Sequence, residues 1–208
     1  MYLPEHFAEH RPEVFHNLIC RQPLATLVTL DDGVPVADEI PFLFDPARKV
    51  LRGHVARNNP LWQRHPASVP VLAIFRGPQA YISPNWYPSK AEHGKHVPTW
   101  NYIVVQAKGL LRVVDDAAAL RALLHDLTTQ HEAPLPKPWS IDDAPADYLA
   151  QMMQAIVGIE IPIDTLIGKW KTSQNRTADD RHGAVEGLRS QPDPDAKAMA
   201  DVVESTLF

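Results

Sequence analysis

The stretch LATLVTLDDGVPVADEIPFLF, Leu24–Phe44, constrains the fold more than any other. Two β-branched, apolar runs flank Asp32-Gly33, and that dipeptide between two such runs reads as a β-hairpin. The pattern then repeats. Asp45-Pro46 opens a turn, and Lys49–Val55 reads as a third strand. Val69–Phe75 (VPVLAIF) reads as a buried strand, and Arg76-Gly77-Pro78 as a turn into Gln79–Ser83. From Trp100 to Val114 the pattern alternates, with Val105 and Ala107 on one face and Gln106 and Lys108 on the other. Gly109 within it marks a bulge or bend. Gly158–Ile163 (GIEIPI) returns to strand. Many of the 20 prolines fall at turns or beside strands, which suits a barrel with many corners better than a helical bundle.

Helices are appended to this framework. Asn58 or Asn59 can cap a short one, with Pro60 at its first position and LWQRH as its body. Asp115 or Asp116 caps AAALRALLHDLTTQHE, where Leu120, Leu123, Leu124 and Leu127 recur at helical spacing. A link with Pro134, Pro136 and Pro138 leads to Asp143, read as the cap of a second helix with Pro145 just inside. Tyr148, Leu149, Met152, Met153 and Ile156 form its apolar face. Two more helices are expected near Ala178–Arg189 and Ala196–Thr206. Pro84–Pro98 reads as a long irregular loop, a length that is often functional or mobile. The fold class expected is mainly β with appended helices (α+β). Residues 1–176 form a barrel domain with inserted helices at about 116–157, and 177–208 form a C-terminal helical extension.

Charge and composition narrow the function. The net charge is −5, from 20 basic and 25 acidic residues, with no polybasic run. Nucleic-acid binding needs a positive stripe, so direct DNA binding is doubtful. No apolar run approaches the roughly 20 residues of a membrane helix. The opening MYLPEHFAEHRPEVF is polar and does not read as a signal peptide. The single cysteine, Cys20, excludes an intramolecular disulfide and a Cys-based zinc site; beside Leu18 and Ile19 it reads as a buried thiol. These features point to the cytoplasm.

Three segments concentrate hydrogen-bonding groups: His54–Asn59, Val97–Tyr102 (VPTWNY) and Gly168–Arg176 (GKWKTSQNR). Arginine offers a bidentate fork to phosphate, and lysine a point charge. A helix starting after Asn58 adds backbone N–H donors. Amides such as Gln174 and Asn101 can pair with the edge of a heterocycle, and Trp100, Trp86 or Trp170 can cover its face. Each group alone has a plainer reading. Asn58 and Asn59 serve as helix caps, and His54 is a hydrogen-bonded structural histidine. Lys169 and Lys171 are solvated lysines around Trp170, and Gln174-Asn175-Arg176 shapes the entry to the next helix. His93 and His96 lack a clear third ligand for a metal, so no metal is expected. The P-loop, the G-x-G-x-x-G fingerprint and the G-x-S-x-G elbow are all absent from the sequence.

Together, MYLPEHF, GHVARNNP, YISPNWY, VPTWNY and GIEIPI…GKWKTSQNR resemble the PaiB family, also called the FMN-binding negative transcriptional regulators. The resemblance runs from Met1 to about Arg176. It implies a flavin-binding split β-barrel, homodimeric, with FMN at the subunit interface. On that resemblance Arg57 and Asn58 bind the phosphate, and His54 lies near the ribityl chain or phosphate. Thr99, Trp100 and Asn101 line the site, and Lys171, Gln174 and Arg176 reach the flavin from the partner subunit. The role implied is regulatory or redox. The alternative is an FMN-dependent oxidoreductase of unknown substrate, with Pro84–Pro98 as a lid and Tyr87, His93 or His96 as a proton donor. No axial-ligand motif supports haem.

Overall fold

Asp32 and Gly33 take left-handed backbone angles, φ 50° and 82°, and join two strands in the register Asp31↔Val34. This is the two-residue turn whose twist matches its flanking strands. In the computed structural model, which describes residues 1–64 and 68–206, the strands are β1 (Ala8–Glu9), β2 (Leu24–Asp31), β3 (Val34–Pro41), β4 (Leu43–Asp45), β5 (Val50–Ala56), β6 (Val69–Ile82), β7 (Thr99–Val114) and β8 (Ile156–Lys171). The α-helices are α1 (Pro12–Arg21), α2 (Leu61–Arg64), α3 (Lys90–His93), α4 (Ala117–Glu132), α5 (Ala146–Gln154), α6 (Ala178–Arg189) and α7 (Pro194–Ser205). The strand order is β3-β2-β6-β7-β8-β5-β4, and β1 pairs with β8. The chain divides into two units. A hairpin unit comprises His16–Phe75 and Gln106–Leu166. A terminal unit comprises Met1–Phe15, Arg76–Val105 and Ile167–Phe208.

The hairpin unit is built on alternation. Ala25, Leu27 and Thr29 of β2 are buried while their neighbours are not. Phe42, Leu51, Phe75, Leu111, Ile159 and Ile161 complete a fully buried core. Each such side chain contributes about 1.5–3 kcal/mol on burial. Strand β5 runs antiparallel to β8 from Val50↔Pro162 to Ala56↔Ile156. Gly109 stands inside an uninterrupted β7 rather than at a break. A Cβ there would lie 2.0 Å from the Pro162 carbonyl oxygen, so only glycine permits this approach to β8. Asp116 caps α4 by accepting the Ala119 N–H at 2.7 Å. Leu120, Leu123 and Leu127 are buried, with Leu43, Leu124, Met153 and Ile156 packed against them.

Several expectations are corrected here. Strand β6 continues through Arg76-Gly77-Pro78 without turning, because a residue before proline is pushed to extended backbone, which a strand accepts. Asp143 does not cap α5. It closes a capping box with Ser140 around a short 3-10 turn, Ile141–Asp143. Tyr148 and Met152 remain exposed, so only part of the expected α5 face is packed. Helix α1 was not expected, and Cys20 within it is half-buried. Helix α2 is described over Leu61–Arg64; His65 of LWQRH lies outside the described residues.

In the terminal unit, α6 and α7 bury Ala184, Val185 and Leu188 with Ala196, Met199, Ala200 and Val203. Pro84–Pro98 is structured, containing a 3-10 turn at Pro84–Trp86 and then α3. Helix α6 lies against that turn. A Cβ on Gly183 would meet the Trp86 carbonyl oxygen at 2.0 Å, and one on Gly187 the indole at 2.2 Å. Among the described residues no helix is long and apolar enough to cross a membrane.

Candidate functional site

Strand alternation turns Lys169 and Lys171 to one side of β8 and Trp170 to the other. Neither lysine is the solvated side chain that the sequence suggests in isolation. Lys169 is 7% exposed. Its Nζ donates to the Tyr2 carbonyl at 3.1 Å and lies 5.7 and 5.3 Å from the Tyr2 and Tyr102 rings. Lys171 donates to Thr99 Oγ1 at 2.5 Å and to the Trp100 carbonyl. Among the described residues, neither lysine has a carboxylate within ion-pair distance. Burial, then the charges of Lys169 and Arg176, push the Lys171 ammonium below its usual range. Two desolvated cations without counter-ions favour an anion.

The chain leaves β8 through a tight turn. Ser173 is left-handed at φ 66°. Gln174 accepts the Thr172 N–H at 2.8 Å and donates to the Trp170 carbonyl, so its amide closes the turn. Asn101 is 1% exposed and donates to Ser173 Oγ at 3.0 Å. Trp100 is 55% exposed, edge-on to exposed Tyr81 at 6.1 Å. Arg176 lies over the Tyr87 ring at 5.1 Å. Thr99, Trp100, Asn101, Lys171, Gln174 and Arg176 therefore all belong to the terminal unit, and Thr99 and Asn101 touch the Gly168–Arg176 segment of their own chain. Strands β7 and β8 are neighbours in the sheet, so VPTWNY and GKWKTSQNR meet within one chain.

The remaining three residues lie in the hairpin unit. His54 sits on β5 opposite Gly158. Its buried Nδ1 has no partner among the described residues, and burial pushes the imidazole below its ordinary value. Asn58 is exposed. Asn59 is the cap, accepting the Leu61 N–H at 2.9 Å while donating to Asp38 at 3.0 Å. Arg57 is engaged within the chain. Its guanidinium pairs with Asp115 at 2.7 Å and donates to the Gln154 and Ile156 carbonyls.

Ser89, His96 and Asp180 also meet in the terminal unit. Ser89 Oγ lies 2.7 Å from His96 Nε2 and donates to Asp180 at 2.7 Å. This is not a nucleophilic triad, in which the carboxylate orients the far nitrogen of the histidine. Here the far nitrogen faces Arg176 and the carboxylate takes the serine proton. Burial pushes the Asp180 carboxyl up, but bonds from the Ser89 hydroxyl and N–H carry it below the ordinary range. Local sequence gave no sign of Ser89 or Asp180, which lie 91 residues apart.

A flavin mononucleotide needs cations for its phosphate, polar groups for its ring edge and an aromatic or apolar face. In the terminal unit Lys169 and Lys171, the exposed Trp100, and the buried Thr172 Oγ1 and Tyr87 hydroxyl, which have no partner among the described residues, supply those types.

Comparison with known proteins agrees. The chain is 31% identical over its whole length to "Protease synthase and sporulation protein PAI 2" of Bacillus subtilis, covering 98% of that protein. Among solved structures it is similar to the flavocytochrome Anf3 from Azotobacter vinelandii, at TM-score 0.59 and 14% identity, with 85% of this chain and 73% of that one covered. It is also similar to the FAD and heme binding protein from Mycobacterium smegmatis, at TM-score 0.54 and 23% identity, with 79% and 73% covered. The fold is mainly β with appended helices, of the split-barrel class. A family model described as "Putative FMN-binding domain" matches residues 1–165, and the chain therefore belongs to this FMN-binding family, the PaiB-like one that its motifs resemble.

Proposed function

We propose that the protein is an FMN-binding homodimer with a regulatory or redox role, the flavin being shared between two chains. The observation that carries this reading is the pair Lys169 and Lys171, desolvated and, among the described residues, without a carboxylate, beside the exposed Trp100. Lys171, Thr99 and Arg176 hold the flavin from one chain. His54, Arg57 and Asn58 hold it from the other. Asn101 and Gln174 act by fixing the turn that presents Lys171. When bound, FMN supplies hydride or single-electron transfer, and the protein supplies orientation and electrostatics. The regulatory half of the reading leans on the name of the Bacillus subtilis relative.

A second reading is an FMN-dependent oxidoreductase. The Tyr81–Trp100 pair favours it, since exposed aromatic rings beside Lys171 offer a surface to an aromatic or anionic substrate. Turnover of NAD(P)H by the flavin-loaded protein separates the two readings.

The test is the absorption spectrum of the purified protein, mass spectrometry of what denaturation releases, and titration of apo-protein with FMN and FAD. FMN is expected to bind more tightly, because the sequence carries no dinucleotide fingerprint for an adenine half. Equal affinity for FAD, or no flavin binding at all, overturns the proposal.

A further inference from the structure

His96 stands between charges of opposite sign. Arg176 Nη1 lies 3.3 Å from its Nδ1. On the other side Nε2 lies 2.7 Å from Ser89 Oγ and 3.9 Å from Asp180 Oδ2. Arginine only donates, so His96 Nδ1 must accept. The proton then sits on Nε2 and is donated to Ser89 Oγ, whose own proton goes to Asp180. Each bond has one donor and one acceptor only when His96 is neutral. The side chains of His96 and Asp180 are 5% and 3% exposed, which leaves water little access to replace a lost partner.

Protonation changes the pairing. It places a hydrogen on Nδ1, facing the guanidinium hydrogens, and a positive charge beside Arg176. The same charge is drawn to Asp180. The other groups on the ring are Tyr87 and His93, each 4.9 Å away between centroids. Tyr87 is uncharged, and any charge on His93 adds to the repulsion of Arg176.

We propose that His96, anchored by Asp180 through Ser89, is a positioning residue for Arg176, presenting the guanidinium to bound flavin when neutral and releasing it when protonated. This rests on the reading that Arg176 contacts FMN. Flavin affinity then falls on acidification by a route separate from the flavin itself.

The phosphate of FMN takes up a proton near pH 6, so the informative comparison is wild type against His96→Gln. A glutamine carbonyl accepts from Arg176, its NH₂ donates to Ser89, and neither titrates. FMN dissociation constants are measured by fluorescence quenching. Between about pH 8 and about pH 5.5, wild type is expected to lose about tenfold more affinity than His96→Gln. His96→Leu, with no acceptor, is expected to bind weakly throughout. Equal pH slopes for wild type and His96→Gln overturn the proposal. If in addition Arg176→Ala binds FMN like wild type, the reading that Arg176 holds flavin fails as well. If only the slopes coincide, that reading stands. Should His96→Gln not fold, NMR titration of His96 in wild type decides. By reciprocity, FMN must shift its protonation to lower pH, and an unmoved titration overturns the proposal.

Discussion

The ammonium of Lys171 donates to the hydroxyl of Thr99 at 2.5 Å, across 72 residues of sequence. That bond joins the last residue of β8 to the first of β7. It also holds a cation, already pushed toward neutrality by burial and by Lys169 and Arg176, in a place without an acid among the described residues.

Lys171→Ala is expected to weaken FMN binding by about 1.5–3 kcal/mol, the usual worth of a charge-assisted contact. Lys108→Ala, which alters an exposed strand lysine, is expected to change nothing measurable. Fluorescence titration of both apo-proteins decides. Matching affinities would remove Lys171 from the site.

Arg57 needs a variant that separates bracing from binding. Arg57→Ala removes the Asp115 pair and two carbonyl contacts, so the melting temperature is expected to drop. Asp115→Asn keeps the guanidinium and loses part of the brace. If Arg57 touches flavin, Arg57→Ala weakens FMN binding more than both Asp115→Asn and Lys49→Ala. Equal losses in Arg57→Ala and Asp115→Asn would leave Arg57 a brace only.

His54 predicts a pH effect on stability. Its folded value lies below the ordinary 6.5 because burial disfavours the imidazolium. Below 6.5 the unfolded chain therefore binds the proton more readily than the folded one. Stability falls as pH drops through that value, and the loss stops once the folded form also protonates. Urea midpoints between about pH 7.5 and about pH 5 should decline less in His54→Gln than in wild type. A phosphate beside His54 would oppose the burial effect, so saturating FMN should flatten the wild-type decline.

Gly183→Ala tests the seat of α6. A Cβ there meets the Trp86 carbonyl at 2.0 Å, and backbone cannot swing aside as a flexible side chain does. Overpacking of this kind costs about 1–3 kcal/mol. Thermal melts should show the loss even without flavin. An unchanged midpoint would mean that α6 shifts freely off Pro84–Trp86.

Shared flavin sites predict complementation. If Arg57 serves one site and Arg176 its symmetry mate, a mixed dimer of Arg57→Ala and Arg176→Ala holds one intact site. Random refolding makes about half the dimers mixed, so flavin stoichiometry recovers to roughly a quarter of wild type. No recovery despite confirmed subunit exchange places both arginines in one chain's site. A monomer by light scattering ends the idea directly.

The sequence by itself determined what local chemistry governs. Asp32-Gly33 specified its hairpin because few other dipeptides accept two left-handed residues. Asp115 or Asp116 as cap, with the leucines at 120, 123, 124 and 127, specified α4, and a helix near Ala178–Arg189 was legible from its pattern. The motifs around GHVARNNP and VPTWNY were enough to reach the FMN-binding family. Only the tertiary structure decided what each polar residue is paired with. Gln174 and Asn101 offer amides to a heterocycle edge in sequence, and in the fold those amides close or brace a turn. Arg57 looks like a phosphate ligand, yet Asp115, 58 residues away, holds its fork. Lys169 looks solvated, yet Tyr2 and Tyr102 enclose it. Ser89 and Asp180 form their bond across 91 residues. Hydrogen bonds and charges act over a few ångströms of space, and no local spacing rule states which distant residue will arrive there.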